Sequence, residues 1–174
     1  FTVPAKDGPE PLDKIRWAVR DRLGEFFVYD DDQRKVLRYG LEGELLGPFP
    51  DATPRKIRTM EIDAAGNIIL LDNDRQVTVY SPEGQLRHQI KTKRGQLNMG
   101  KARDIATDSA GYLYILDEGK SSIAVFDASY QLVAHLESQS LGQGALNKPT
   151  SLDVDASGDL YVYDDKAKAI IRLR

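Results

Sequence analysis

The 174-residue sequence predicts an all-β protein, a β-propeller of four four-stranded antiparallel blades. The main observation is an internal repeat, in which four segments align on one glycine each with spacings of 42, 45 and 47 residues. Each segment contains four short stretches with strand character, and a repeat of this length with four strands is typical of a propeller blade. The aligned glycines are Gly24, Gly66, Gly111 and Gly158.

Acidic residues keep the same register as these glycines. An Asp lies three residues before each glycine, and together they predict a tight turn, because Asp bonds the backbone ahead of it and Gly accepts a positive φ. A second Asp lies six residues after each glycine. The two sets are Asp21, Asp63, Asp108 and Asp155, then Asp30, Asp72, Asp117 and Asp164.

The five residues between each glycine and the later Asp are mostly apolar, β-branched or aromatic, which predicts a short strand. They do not alternate with polar residues, so we expect both faces of these strands to be buried, with Leu70, Ile115 and Val162 nearly inaccessible. Another strand precedes each Asp-x-x-Gly turn and two more follow the later Asp. The strands before the turns are predicted at 15–20, 57–62, 102–107 and 150–154.

The predicted blades span about 14–49, 55–90, 100–137 and 147–174, and 1–13 is an N-terminal segment. The fourth predicted blade lacks its outer strand. Residues 1–3 could supply that strand and close a small ring, with the proline-rich stretch 4–13 as a connector. The alternative is an open arc of a larger propeller.

Composition limits the possible chemistry. The chain has no cysteine and two histidines, which excludes disulfides and thiolate metal sites and leaves few ligands for zinc or copper. The Asp-rich run 30–32 lacks the spacing of an EF-hand, and we expect no metal and no cofactor. The net charge is −3, and no apolar run is long enough for a membrane helix. The compartment is not assigned, and a periplasmic or secreted location is the working expectation.

Two segments resemble the NHL repeat, a β-propeller family: Asn-Lys-Pro-Thr-Ser-Leu-Asp-Val-Asp-Ala-Ser-Gly-Asp-Leu-Tyr-Val-Tyr-Asp at 147–164, and Ile-Ala-Thr-Asp-Ser-Ala-Gly-Tyr-Leu-Tyr-Ile-Leu-Asp at 105–117. The resemblance covers about 14–174 and implies the blade type. It says little about activity, because one propeller fold hosts many functions. NHL-type propellers usually have six blades, whereas this chain has four.

Basic residues repeat at the start of each predicted inner strand. A Lys lies ten residues before each glycine, and an Arg lies eight residues before it in three blades, where the fourth has Thr150. On a propeller these residues form a ring that could bind an anion or an acidic protein surface. Alternatively, the nearby Asp30, Asp72, Asp117 and Asp164 neutralise it. The ring residues are Lys14, Arg16, Lys56, Arg58, Lys101, Arg103 and Lys148.

The leading functional interpretation is a non-catalytic protein-interaction or scaffold module, an accessory subunit that presents propeller loops to a protein partner. We expect no enzyme, because the sequence has no Ser-His-Asp arrangement, phosphate loop or metal cluster, and we expect His88 and His135 on outer strands. One alternative, implied by the resemblance, is a metal-dependent lactonase or lyase. The other is RNA binding, although no aromatic stacking residues interleave with the basic ring, so no nucleic-acid partner is expected.

Overall fold

A computed structural model describes residues 12, 14–49, 56–92, 97–139 and 145–173. These residues form fifteen β-strands in four antiparallel sheets and, within the described ranges, no α-helix. Blade 1 contains β1 (Ile15–Arg20), β2 (Phe26–Asp30), β3 (Lys35–Tyr39) and β4 (Leu45–Phe49). Blade 2 contains β5 (Ile57–Ile62), β6 (Ile68–Asp72), β7 (Gln76–Tyr80) and β8 (Leu86–Lys91). Blade 3 contains β9 (Ala102–Thr107), β10 (Leu113–Asp117), β11 (Ser122–Phe126) and β12 (Leu132–Glu137). Blade 4 contains β13 (Pro149–Val154), β14 (Leu160–Asp164) and β15 (Ala169–Leu173).

Each blade is a meander in which consecutive strands pair, with the first strand at one edge of the sheet. The predicted propeller of four blades is confirmed, and the first strand of each blade begins and ends within one residue of its predicted limits. Blade 4 has three described strands. The predicted closing strand at 1–3 lies outside the described residues.

The predicted Asp-x-x-Gly turns are confirmed, and Asp63 shows how they work. One of its carboxylate oxygens accepts hydrogen bonds from the amides of Ala65, at 2.9 Å, and Asn67, at 2.8 Å. Gly66 has φ of +84°, a conformation that glycine adopts without steric cost. The carboxylate and the glycine therefore fix the turn between β5 and β6 together.

The blades are held together by apolar clusters, each of which joins two consecutive blades. Leu70 is 3% exposed, and Ile115 and Val162 are fully buried, which confirms that the second strands lie in these interfaces. The clusters join blade 1 to blade 2, blade 2 to blade 3 and blade 3 to blade 4. The inner strands β1, β5, β9 and β13 contact one another in the same order, and in a propeller fold these strands face the central channel.

The face of blade 4 that points away from blade 3 is partly exposed, although both faces of its second strand were expected to be buried. Tyr163 is 38% exposed and Ile170 is 70% exposed, because no described blade packs against them. No described core cluster joins blade 4 to blade 1, whose own outer face packs Val28, Leu37 and Tyr39 with Leu12. The four described blades therefore form a consecutive series.

Candidate functional site: the cationic rim

The seven predicted basic residues lie where the inner strands begin, and we call this set the cationic rim. In every blade the carbonyl of the rim lysine accepts a hydrogen bond from the residue that lies seven positions after the repeat glycine. These bonds fix each lysine at an equivalent place in its blade. They run from Asp31 to Lys14, Asn73 to Lys56, Glu118 to Lys101 and Asp165 to Lys148, at 2.9–3.0 Å.

The aspartates at the ends of the second strands bind backbone amides, whereas the sequence analysis considered them as partners for the rim cations. Asp164 is fully buried and accepts hydrogen bonds from four backbone amides, those of residues 147, 148, 166 and 167. Asp117 likewise binds the amides of residues 100, 101, 119 and 120. In blades 3 and 4 these carboxylates therefore hold the loop backbone, and no described ion pair joins either of them to a rim cation.

The rim ion pairs run instead to the residue that follows each of these aspartates. Asp31 lies within 4 Å of Lys14, Arg16 and Lys56, with the closest contact at 3.5 Å. In blade 3, Glu118 binds Lys101 at 2.8 Å and lies 3.6 Å from Arg103.

In blade 4, Asp165 binds Lys148 and Lys168, both at 2.7 Å, and these bonds lower the pKa of Asp165 to about 2. Sequence reasoning missed all three carboxylates, Asp31, Glu118 and Asp165. The available signal was that they occupy one position of the repeat.

Blade 2 breaks this pattern, because Asn73 occupies the position that is acidic in the other blades. Lys56 reaches across the blade boundary and pairs with Asp31 at 3.6 Å. Arg58 has no described carboxylate within 4 Å, and its Nε is buried without a hydrogen-bond partner among the described residues. Burial and the neighbouring guanidinium of Arg103 lower the pKa of Arg58.

The rim has more cations than ion-pairing carboxylates. Six of its seven cations lie within ion-pair distance of four described carboxylates, the three above and Asp32, which lies 3.6 Å from Lys14. Arg103 and Arg75 are near enough to Arg58 to lower its pKa. The guanidinium of Arg75 also donates to the Gly100 carbonyl.

Further along the inner strands, three carboxyl groups from different blades approach one another. Burial raises the pKa of Glu61 to about 7, and the negative charges of Asp104 and Asp153 contribute. Burial also raises the pKa of Asp104, which accepts hydrogen bonds at 3.0 Å from the Leu152 amide and the Ser151 hydroxyl. Glu61 therefore holds or releases a proton near neutral pH. Glu61 and Asp153 lie five residues before their repeat glycines, but blades 1 and 3 have Val19 and Ala106 there, so the position is not acidic throughout the repeat and the sequence analysis missed it.

The histidines lie away from the channel, as predicted. His88 is on β8, where its ring stacks on Tyr130 with centroids 5.5 Å apart. His135 is on β12 and lies 3.1 Å from the Ser122 hydroxyl. No group of three or more potential metal ligands comes together in the described part of the chain. Nor does any helix there have the length and apolar character needed to cross a membrane.

Comparison with known proteins gives structural relatives only. No protein-family model matches the chain, and no curated protein matches its sequence. The structural relatives support the propeller fold, whereas membership of the NHL family in particular is not supported.

The structural relatives include lyases. A streptogramin B lyase superposes with a TM-score of 0.72 at 14% identity, covering 94% of this chain and 52% of the lyase. Virginiamycin B lyase from Staphylococcus aureus gives 0.66 at 12% identity, covering 95% and 57%. A catalytically inactive histidine-to-alanine variant of that enzyme with quinupristin gives 0.66 at 11%, covering 98% and 57%.

The prediction that this protein is not an enzyme is contradicted by this comparison, because the propellers on which it superposes include lyases. The chain spans between half and three fifths of their length. At 11–14% identity the likeness shows the fold, and no lyase residue is transferred to this chain.

Proposed function

We propose that the cationic rim binds the anionic part of a ligand, and that these blades form the ligand-binding part of a lyase-type propeller enzyme. The observation that carries the proposal is the ring of seven cations with fewer ion-pairing carboxylates where the inner strands begin, on a fold shared with lyases. Such an excess attracts anions and orients them as they approach.

The channel interior supports the enzymatic part of the proposal. A lyase that removes a proton next to a carbonyl needs a base, and it needs positive charge near the oxygen where negative charge develops. Glu61 has a pKa of about 7, which suits a proton acceptor at neutral pH. It lies on β5 three residues after Arg58, so one inner strand contributes both groups.

The exposed lysines of the rim favour a second candidate, the acidic protein partner expected from the sequence. The side chains of Lys14, Lys56 and Lys148 are 60%, 50% and 53% exposed, so they could contact an extended acidic surface. A protein partner would use the whole rim, whereas a small anion would use the region around Arg58.

Calorimetric titration with citrate, a small trianion, and with a hexaglutamate peptide tests the proposal. We expect the double variant Arg58→Ala/Arg103→Ala to bind the preferred anion at least about tenfold more weakly, with a shallower salt dependence. The matched control, Arg22→Ala/Arg87→Ala, removes two exposed cations outside the rim and should bind like the wild type. Unchanged affinity in the rim variant would contradict the proposal. Preference for hexaglutamate over citrate would favour the protein partner.

A further inference from the structure

We infer that Arg58 is the anchor of an oxyanion-binding site, which takes a carboxylate or phosphate group of the ligand. The inference rests on the proposed function and specifies which rim residue binds and what chemistry it recognises. It depends on a comparison among blades 1, 2 and 3, which carry the same lysine and arginine at the rim.

The rim arginines of blades 1 and 3 show which contacts an arginine makes at this position of the repeat. In blade 1 the rim arginine, Arg16, lies 3.5 Å from Asp31, and in blade 3 Arg103 lies 3.6 Å from Glu118. In blade 2 the residue at the corresponding position is Asn73, whose amide makes the same backbone bond as the two acids. Only the counter-ion differs, so Arg58 occupies the arginine position of the repeat without its usual partner.

The neighbouring acids are already paired with other cations. Asp31 is shared by three cations and Glu118 by two. The buried Nε of Arg58 has no described acceptor, and burial and the charges of Arg103, Arg75 and Arg16 lower its pKa, whereas the charge of Glu118 acts in the opposite direction. A buried polar group without a partner is costly, and a charged one more so.

A guanidinium presents its Nε and one terminal nitrogen as a planar pair of donors, which matches two oxygens of a carboxylate or phosphate. An oxyanion bound beside the guanidinium would supply a negative charge there and reduce the repulsion between Arg58 and Arg103. The position is therefore suited to an external anion that supplies the charge that Asn73 lacks.

The sharpest test restores the missing acid. Asn73→Asp places a carboxylate where three other blades carry one, so it should fold and pair with Arg58 internally. We expect its affinity for inorganic phosphate and for acetate to fall at least about tenfold, with Arg58→Lys showing a comparable loss. Asn73→Ser changes the same position without adding charge and should retain wild-type affinity. Anion binding that survives Asn73→Asp unchanged would overturn the inference.

Nuclear magnetic resonance of the arginine Nε–H groups gives a direct readout. The Arg58 resonance, assigned by its absence in Arg58→Lys, should shift on titration with the bound anion. A larger response to phosphate or to acetate identifies which oxyanion is preferred. If citrate binds the rim and the Arg58 resonance does not move, this inference fails and the proposed function stands. If neither citrate nor hexaglutamate binds, the proposed function fails as well.

Discussion

The two ends of the inner strands obey different rules. At the turn end, every blade carries Asp-x-x-Gly, and each Asp accepts the backbone amide four residues ahead. At the rim end, the lysines repeat, but the residue seven positions after the glycine changes from Asp31 to Asn73, Glu118 and Asp165. A position that is identical in every repeat performs a task that every blade needs. A position that varies while its neighbours remain fixed is where a ligand can be accommodated.

Replacing a residue that supports both ends should give the largest effect. Ile115 is fully buried at the centre of β10, in the interface between blades 2 and 3. We expect Ile115→Ala to lower the free energy of unfolding by about 2–5 kcal/mol, because a cavity remains. Val133→Ala, at a residue 53% exposed, should change it by less than about 0.5 kcal/mol. Urea unfolding measures both. A loss below about 1 kcal/mol for Ile115→Ala would mean that packing between blades 2 and 3 contributes little to stability.

Between the two ends, Glu61 should make stability depend on pH. Its pKa is raised from 4.5 to about 7 by burial and by Asp104 and Asp153, so the folded state binds a proton that the unfolded state releases. Stability should therefore fall as pH rises from about 4.5 to about 7, by at most about 3 kcal/mol. Glu61→Gln should remove this loss, so the variant exceeds the wild type at pH 8 and matches it near pH 4.5.

The control for Glu61 is Glu42→Gln, at an exposed turn position. In urea unfolding across this pH range, the difference in stability between Glu42→Gln and the wild type should not show the change with pH that is expected for Glu61→Gln. Identical pH profiles for Glu61→Gln and the wild type would show that the carboxyl group at 61 is not held protonated.

The smallest expected loss of stability comes from the turn end, at Asp108. Asp108 accepts hydrogen bonds from two backbone amides and from the Tyr114 hydroxyl, at 2.9–3.0 Å. We expect Asp108→Ala to cost about 1–2 kcal/mol of stability, because these donors lose their acceptor, and to leave anion affinity unchanged. Ser109→Ala, in the same turn, is the matched control. Weaker anion binding by Asp108→Ala with its stability intact would remove the distinction between the ends.

Sequence reasoning was strongest where a residue acts within its own blade. The turn formed by Asp63 and Gly66 depends on four neighbouring residues, and the register of the repeat reveals it. The burial of Ile115 was predicted because an apolar strand without alternation needs cover on both faces. The exposure of Tyr163 was not predicted, because burial of that side chain would require a further blade to pack against it.

The site was less predictable, because its properties come from contacts between blades. Lys56 pairs with Asp31 of the preceding blade. Burial raises the pKa of Glu61 to about 7, and charges on two later blades contribute. Neither contact is encoded in one repeat. The isolation of Arg58 had a visible sign in Asn73, but reading it required knowing that the adjacent acids are the counter-ions.

The serial contacts of the four described blades also have a mechanical consequence. Each blade is restrained by its sequence neighbours through the apolar clusters, and no described cluster joins the fourth back to the first. Among the described blades, the angle between neighbours is therefore set by packing across their shared cluster, as in a solenoid. A small change in the angle between blades 2 and 3 would change the spacing of Arg58 and Arg103, which lie on the inner strands of those two blades.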